Sequence, residues 1–482
     1  MKKNYLLAIA VAVVMMATTV AQAADVSFSG EFRPRFNIDN DSSNLTSPNH
    51  FFDTRARLNA KANVNANTEV FLQFQSVGTW GAATLDGASQ TVGTRESTGG
   101  GVGLGDAMEA SDVLQDVGFH QAYLILKNFA GNKVDMKIGR QQVVIDGHRL
   151  FGHTGWTQGA ETKDAIRLNH AAGNHTLNYT YILGNEADGN GNSNSQDYSV
   201  HVLHAQTQGV MGGSLSGIFT LTNNDDGSAE MQDNEQWYTV GARQKGKLGG
   251  LDYRVEFYHQ FGDAGTSAAG DMAMVRSGVG TAADTVDRDA QMFGIRVGKT
   301  FKNSPWKPTV TLWYDTLTGQ DDDDSAGGDW GQFDTMYDTG HKFYGFQDFY
   351  LARTGAGTGF YGLQDYAIKT KMSPRAGWTL KADYHHFRTQ TDIDDADGDT
   401  VVAADATLSD TSMSPDLGSE IDLTVVHKYD ANTKIVAGYS HYMTTYTFAE
   451  INATNNTATG DPGGSNNNDG SDWAYVQVHT KF

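Results

Sequence analysis

The sequence predicts an all-β fold, a single transmembrane antiparallel β-barrel of about 18 strands with short turns at one end and long loops at the other. Three observations carry the prediction. Apolar and polar residues alternate in runs of about 8 to 14 residues, as they must when one face of a strand meets lipid and the other a wet lumen. The connections between runs are short and long by turns. No stretch after the N-terminal leader offers the roughly 20 continuous apolar residues that a spanning helix needs, so any crossing is made by strands. A hydrophobic fraction of 39% is too low for a helical membrane protein. It is ordinary for a barrel, where alternate residues alone meet lipid. Pro is rare, Gly is abundant and no interdomain linker is visible, so one large closed sheet fits better than several small cores.

At the N-terminus, Lys2 and Lys3 precede an apolar run from Leu6 to Met16, and Ala21-Gln22-Ala23 supplies small residues for a signal peptidase. Residues 1–23 are therefore expected to be a signal peptide and residues 24–482 the barrel. A membrane-anchoring helix is the alternative, and the short core without a stop-transfer pattern counts against it.

Strands are expected to begin near Val26, Phe52, Thr68, Gly118, Lys133, Thr162, Asn174, Gln196 and Gly212. Further starts fall near Glu235, Gly250, Arg288, Lys307, Phe360, Gly377, Gly418, Thr433 and Asp472. Brief connections such as Asn65 to Asn67, Ala130 to Asn132, Gly246 to Gly249 and Asp430 to Asn432 carry Gly or Asn where a tight turn must form. Long polar ones, including Thr79 to Val117, Gly262 to Asp287, Leu317 to Gly359, Thr389 to Asp416 and Thr447 to Ser471, alternate with them. In an outer-membrane barrel the short turns face the periplasm and the long loops face outside, so an even strand number puts both termini in the periplasm. In the last strand Ala474, Val476, Val478, Thr480 and Phe482 alternate with Trp473, Tyr475, Gln477, His479 and Lys481. That ending resembles the signature read by the barrel-assembly machinery, an expected partner through Phe482. The expected location is the outer membrane of a Gram-negative bacterium, with lipopolysaccharide around the barrel. A β-sandwich or propeller explains neither the alternation of loops nor the absence of a blade repeat.

Parity assigns the faces. Val26, Phe28, Phe32 and Phe36 point to lipid, leaving Glu31, Arg33 and Arg35 inside. In the next strand Ala56, Leu58, Ala60, Ala62 and Val64 face out while Asp53, Arg55, Arg57, Asn59 and Lys61 face in. The opposite register would cost about 2 to 4 kcal/mol per Arg or Lys at mid-membrane. The same rule puts Arg167, Arg243, Arg254 and Arg296 in the lumen with Lys137 and Lys369, together with Asp135, Glu256, Asp365, Asp383, Glu420 and Asp422. These charges can brace the wall across strands, or the arginines can act together as the selectivity ring of a pore for anionic solutes.

A formal charge of −22 runs against an anion pore. Much of the acid, however, lies in the expected external loops, at Asp321 to Asp324, Asp329, Asp334, Asp338 and Asp348, then at Asp392 to Asp416. Such runs are usually solvated tips; divalent-cation binding is the alternative, and no complete EF-hand loop is present. No metal or cofactor is expected. An acidic vestibule repels an anion arriving from outside, which fits an exporter better than an importer.

Three segments carry a resemblance. The first is Ile138-Gly139-Arg140-Gln141 with Gly147, Arg149, Leu150, Gly152, Trp156 and Asp164. The second is Phe333-Asp334-Thr335-Met336-Tyr337 with His341-Lys342-Phe343-Tyr344-Gly345 and Asp348. The third is Gly418-Ser419-Glu420-Ile421-Asp422 with Gly438-Tyr439-Ser440. Together they resemble the alginate-export family of outer-membrane barrels. The resemblance implies eighteen strands and an arginine-lined constriction that passes an anionic polysaccharide. It also implies Arg140 and Arg149 near that constriction, and His341, Lys342 and Asp348 in an ordered loop packed into or over the pore. The chain departs from the family at Lys163, where Phe usually precedes the aspartate.

The expected function is therefore an outer-membrane channel passing hydrophilic, anionic solutes or oligo- and polysaccharide. An enzyme is not expected: Ser440-His441 and His385-His386 are neighbours in strands, so each pair points to opposite faces. Nucleic acid is not an expected partner. The alternative is a sleeve or scaffold for a periplasmic or extracellular protein such as an electron-transfer component; with no cysteine, the chain itself attaches no haem by thioether. Phe36, Phe52, Tyr442, Tyr446 and Trp473 are expected in the interfacial girdles, with sugar stacking a conceivable use for Trp156, Trp313 or Trp330.

Overall fold

A computed structural model describes residues 25–40, 49–80, 117–185, 196–226, 234–264, 287–319, 329–350, 361–391, 414–445, 447–448 and 470–482. The expected signal peptide, Tyr446 and the acidic runs at Asp321 to Asp324 and Asp392 to Asp410 lie outside these residues.

The chain runs as a meander. It begins with β1 (Asp25–Asn40), β2 (Asn49–Asn65), β3 (Thr68–Thr79), β4 (Gly118–Leu126), β5 (Val134–Gln141), β6 (Lys163–Ala172), β7 (His175–Asn185), β8 (Gln196–Val210) and β9 (Gly213–Asp226). It continues with β10 (Asn234–Leu248), β11 (Leu251–Asp263), β12 (Asp287–Thr300), β13 (Thr309–Leu317) and the two-residue β14 (Asp329–Trp330). It ends with β15 (Leu363–Met372), β16 (Trp378–Arg388), β17 (Asp416–Lys428), β18 (Thr433–Thr444) and β19 (Ser471–Lys481). Each long strand pairs antiparallel with the next, β13 passes directly to β15, and β19 returns to β1 with Phe32 opposite Thr480 and Phe36 opposite Val476. The result is a closed barrel of eighteen antiparallel strands with no open edge. β14 is an addition, running parallel beside the extracellular end of β12.

Strand starts agree closely with the alternation in the sequence; the largest offsets are Phe52 against Asn49 and Phe360 against Leu363. The turn placed at Gly246 to Gly249 is shifted, because Gly246 stays in β10 and the turn is Gly249-Gly250. Both have positive φ, 59° and 81°, the backbone a two-residue hairpin needs. Face parity holds in the first hairpin: Phe28 is 52% and Leu58 44% exposed on the outside, while Arg33, Arg35, Arg55 and Arg57 are buried within. At the seam the Gly30 and Phe482 backbones exchange hydrogen bonds of 2.7 and 3.0 Å, and a Cβ on Gly30 would stand 2.5 Å from the Phe482 ring.

The interior differs from the uniformly wet lumen that alternation implies. Residues 142–162, between β5 and β6, and residues 331–350 fold inward and pair with each other. Phe151 and Tyr337 form a parallel bridge, Gly152 N donates to Tyr337 O at 2.7 Å, Tyr337 N to Leu150 O at 2.9 Å and Thr339 N to His148 O at 3.1 Å. Val143, Leu150, Phe151, Phe333 and Phe343 from these loops pack with inward-facing Ile182, Val200, Val202 and Met292 into one buried apolar cluster. The hydrophobic core thus sits inside the barrel. It explains why β7, β8 and β12 carry apolar residues on their lumen face: they cover apolar loop side chains and keep water from them.

Candidate functional site

The first-hairpin arginines meet residues 155–158. Arg33 donates to Gln158 Oε1 and Gly155 O, both at 2.8 Å, to Trp156 O at 3.0 Å and to Thr157 O at 2.7 Å. Arg35 reaches Trp156 O at 3.2 Å and pairs with Asp53 at 2.7 Å. Arg55 donates to Thr157 O at 3.0 Å and pairs with Glu31 at 2.8 Å. Arg57 lies 3.4 Å from Glu31 and donates to Gln75 at 2.6 Å. Gln158 Nε2 closes the circuit on Asp53 Oδ1 at 2.7 Å. Charge-assisted hydrogen bonds of this kind are worth about 1.5 to 3 kcal/mol each. β1 and β2 therefore fasten a loop to the wall; the four guanidiniums do not stand open as a ring.

A second node lies across the lumen. Arg149, 1% exposed, is held by Asp315, by Glu256 at 3.3 Å and by the Tyr344 hydroxyl at 2.5 Å, with its guanidinium 3.8 Å from the Phe343 ring centre. Arg296 pairs with Asp315 at 3.1 Å and lies over Trp313, and Arg243 and Arg254 approach Glu256 at 3.4 and 3.6 Å. Burial works against the charge on Arg149, but Asp315 and Glu256 outweigh it and hold its pKa above the ordinary value. On the same loop, burial opposes ionisation of Asp146, yet His204, Ser216 at 2.7 Å and Arg243 keep its carboxyl below the usual range. Lys342 donates to Gly147 O at 2.9 Å; burial and the nearby Arg254, Arg243 and Arg149 push its amine down to about 8. His148 is lowered to about 4 by burial, Lys342 and His153.

A third junction joins the loops. Trp156 stacks on His341, Arg35 lies 4.6 Å from the Trp156 ring centre, and Tyr475 and Trp473 close its edges at 4.8 and 5.6 Å. His341 Nδ1 is 2.9 Å from Asp348. Glu420 accepts from the Phe346 and Gln347 amides at 2.5 and 3.0 Å, so an acidic wall anchors the second loop as the arginine wall anchors the first. His341, Lys342 and Asp348 therefore belong to a segment seated in the lumen.

Three expectations need correction. Arg140 is not at the constriction: it shares the outer face with Ile138, 38% exposed, and pairs with Asp164 at 2.7 Å. Gly139, at φ 121°, stands between them on the lumen face. Tyr442 and Trp473 are not girdle residues, since Tyr442 is buried inside against Tyr350 at 2.5 Å and Trp473 meets Trp156. Parity with exposed Met443 and Val476 was the signal that places them.

Arg167 and Lys137 stand directly opposite each other on β6 and β5. Both face the lumen. No carboxylate lies within 4 Å of either among the described residues; Lys137 sits 3.7 Å from the Tyr123 ring centre and Arg167 reaches only Asn178 Oδ1 at 3.5 Å. Like charges so placed repel, and their register makes them a ready complement for an anion. Among the described residues no group of three or more His, Cys, Asp or Glu is placed to hold a metal ion.

A family model described as alginate export matches residues 24–457. Comparison with curated proteins finds no match. Among solved structures the fold is similar to outer-membrane porins of Pseudomonas aeruginosa. OccK8 (OprE) superposes with a TM-score of 0.54 at 11% identity over 95% of this chain and 98% of that one. OccK3 (OpdO) gives 0.53 at 9% identity over 95% and 96%. OccK5 (OpdH) gives 0.52 at 9% identity over 95% and 98%.

Proposed function

The chain belongs to the alginate export family and is a channel of the Gram-negative outer membrane, and on that premise we propose that it passes hydrophilic, anionic solutes, oligosaccharides or polysaccharide. The observation that carries the anion reading is the Lys137–Arg167 pair. Most of the other lumen arginines named above are engaged by carboxylates and loop carbonyls, so they shape the passage, whereas this pair keeps charge available to a solute. The acid of the expected external loops raises the cost of entry from outside and supports outward passage. A sleeve for a partner protein is not favoured, because the chain's own residues 142–162 and 331–350 occupy the bore.

Reversal potentials in planar bilayers under a salt gradient test the reading. Anion selectivity that weakens in the double variant K137Q/R167Q is expected. Cation selectivity, or a folded barrel that stays closed when the residues of the first inward loop are removed, overturns it.

A further inference from the structure

Four histidines form a level on the outside of the barrel. His259, His386 and His441 each stand eight residues beyond the short-turn end of their strand, counted from Leu251, Trp378 and Thr433. His201 stands nine residues from Val210, at the short-turn end of β8. All four share the outer face with exposed apolar neighbours: Leu203 beside His201, Phe257 beside His259, Tyr384 beside His386 and Tyr439 beside His441. At about 3.3 Å per residue and a tilt near 40°, eight residues rise about 20 Å. That is close to the top of an apolar band about 25 Å tall, where hydrocarbon gives way to the headgroups of the outer leaflet.

Three of the four rings are also held alike. Nδ1 of His201 meets the Tyr179 hydroxyl at 2.7 Å, Nδ1 of His441 meets Asp472 at 2.9 Å, and Nδ1 of His386 meets Ser419 Oγ at 3.1 Å. Nδ1 of His259 stands 3.5 Å from Asp289. In the first three one ring nitrogen is occupied by the barrel, which orients the imidazole, whereas His259 Nδ1 makes no hydrogen bond; Nε2 of none of the four has a protein partner among the described residues. An oriented ring with one unspent nitrogen, repeated on β8, β16 and β18 with a fourth imidazole at the same height on β11, is more than scattered interfacial polarity requires.

We propose that these four imidazoles are a docking belt for the phosphorylated glycolipid of the outer leaflet. A phosphate oxygen accepts from the imidazolium form of Nε2–H, and the sugar hydroxyls and amides beside it donate to the neutral ring. Such a headgroup matches either protonation state. Outward Asp289 and Asp416 stand opposite Phe261 and Arg388, two residues beyond His259 and His386 toward the extracellular end, so anionic groups are disfavoured above the belt, while Asp472 stands within it opposite His441 and is taken up by His441 Nδ1 and the Tyr439 hydroxyl. The belt is independent of what the lumen carries.

The test is native mass spectrometry of the folded, full barrel in detergent micelles titrated with phosphorylated lipid A, with lipid A stripped of phosphate and with phosphatidylglycerol. Wild type is expected to retain phosphorylated lipid A about fivefold better than either alternative. The variant H201F/H259F/H386F/H441F, with aromatic rings suited to a girdle, is expected to fall to the level of the stripped lipid while conductance is unchanged. If that variant fails to show the heat-modifiable migration of a folded barrel, H386F/H441F is read in its place and is expected to lose about half the preference. Equal retention of phosphorylated and stripped lipid by wild type overturns the proposal. So does undiminished preference in a folded variant, or retention of phosphatidylglycerol as strong as that of lipid A. Loss of anion selectivity would bear on the lumen alone.

Discussion

Trp156 and His341 lie face to face, their ring centres 4.3 Å apart and their planes within 7° of parallel. One belongs to the loop held by the arginines of β1 and β2, the other to the loop held by Glu420 on β17. Two segments with separate anchors on the wall therefore share an aromatic contact in addition to their backbone bridge, and that side-chain contact is the one a single substitution loosens most easily.

Trp156→Ala removes the stack and the Arg35 contact. At about 0.5 to 1.5 kcal/mol for the aromatic pair and a similar amount for the cation, open probability in single-channel recordings is expected to rise roughly tenfold. An unchanged record would mean that the loops part elsewhere.

Neutralising Arg33 and Arg55 together frees the carbonyls of residues 155–158. The expected outcome is a larger conductance, with new protease cleavage near Thr157, and a smaller change in ion selectivity than K137Q/R167Q produces. If selectivity changes most in R33Q/R55Q, those guanidiniums face the solute and not the loop.

Asp315→Asn strips Arg149 of its nearest carboxylate in a site closed to water. Breaking a buried pair in this way costs about 3 to 5 kcal/mol. The temperature at which the folded band is lost on heat-modifiability gels is expected to fall, and substitution of exposed Lys302 in the β12–β13 turn serves as the neutral control.

Lys342 gives a pH dependence of definite sign. Its folded pKa, about 8, lies below the ordinary 10.5, so between these values the released loop binds more protons than the docked one. Docking through Lys342 is therefore complete above about 10.5 and is lost as pH falls through about 8. Channel openings are expected to become rarer as pH rises across that window, and Lys342→Met is expected to flatten the trend.

Much of the fold was legible because lipid enforces it. Leu58 and Arg57 are adjacent, and only one register keeps the guanidinium out of hydrocarbon, so alternation located strands and faces together. The inward loops obey no such period. Trp156, Phe343 and Tyr344 find their places through partners more than 100 residues away, as Arg149 does with Glu256, 107 positions along the chain. Arg140 was misplaced because a motif was read as a unit, although its parity with Ile138 already put it outside. The apolar lumen faces of β7 and β8 were missed for a related reason: Ile182 and Val200 make sense only once something greasy is known to lie inside.

The bridge between Phe151 and Tyr337 ties the two loops by backbone, not by side chains alone. A displacement of either segment must drag the other with it, like two leaves hinged along one spine. Current through this pore should accordingly change in a single quantal jump, without the staircase of partial levels that separately moving obstructions would produce.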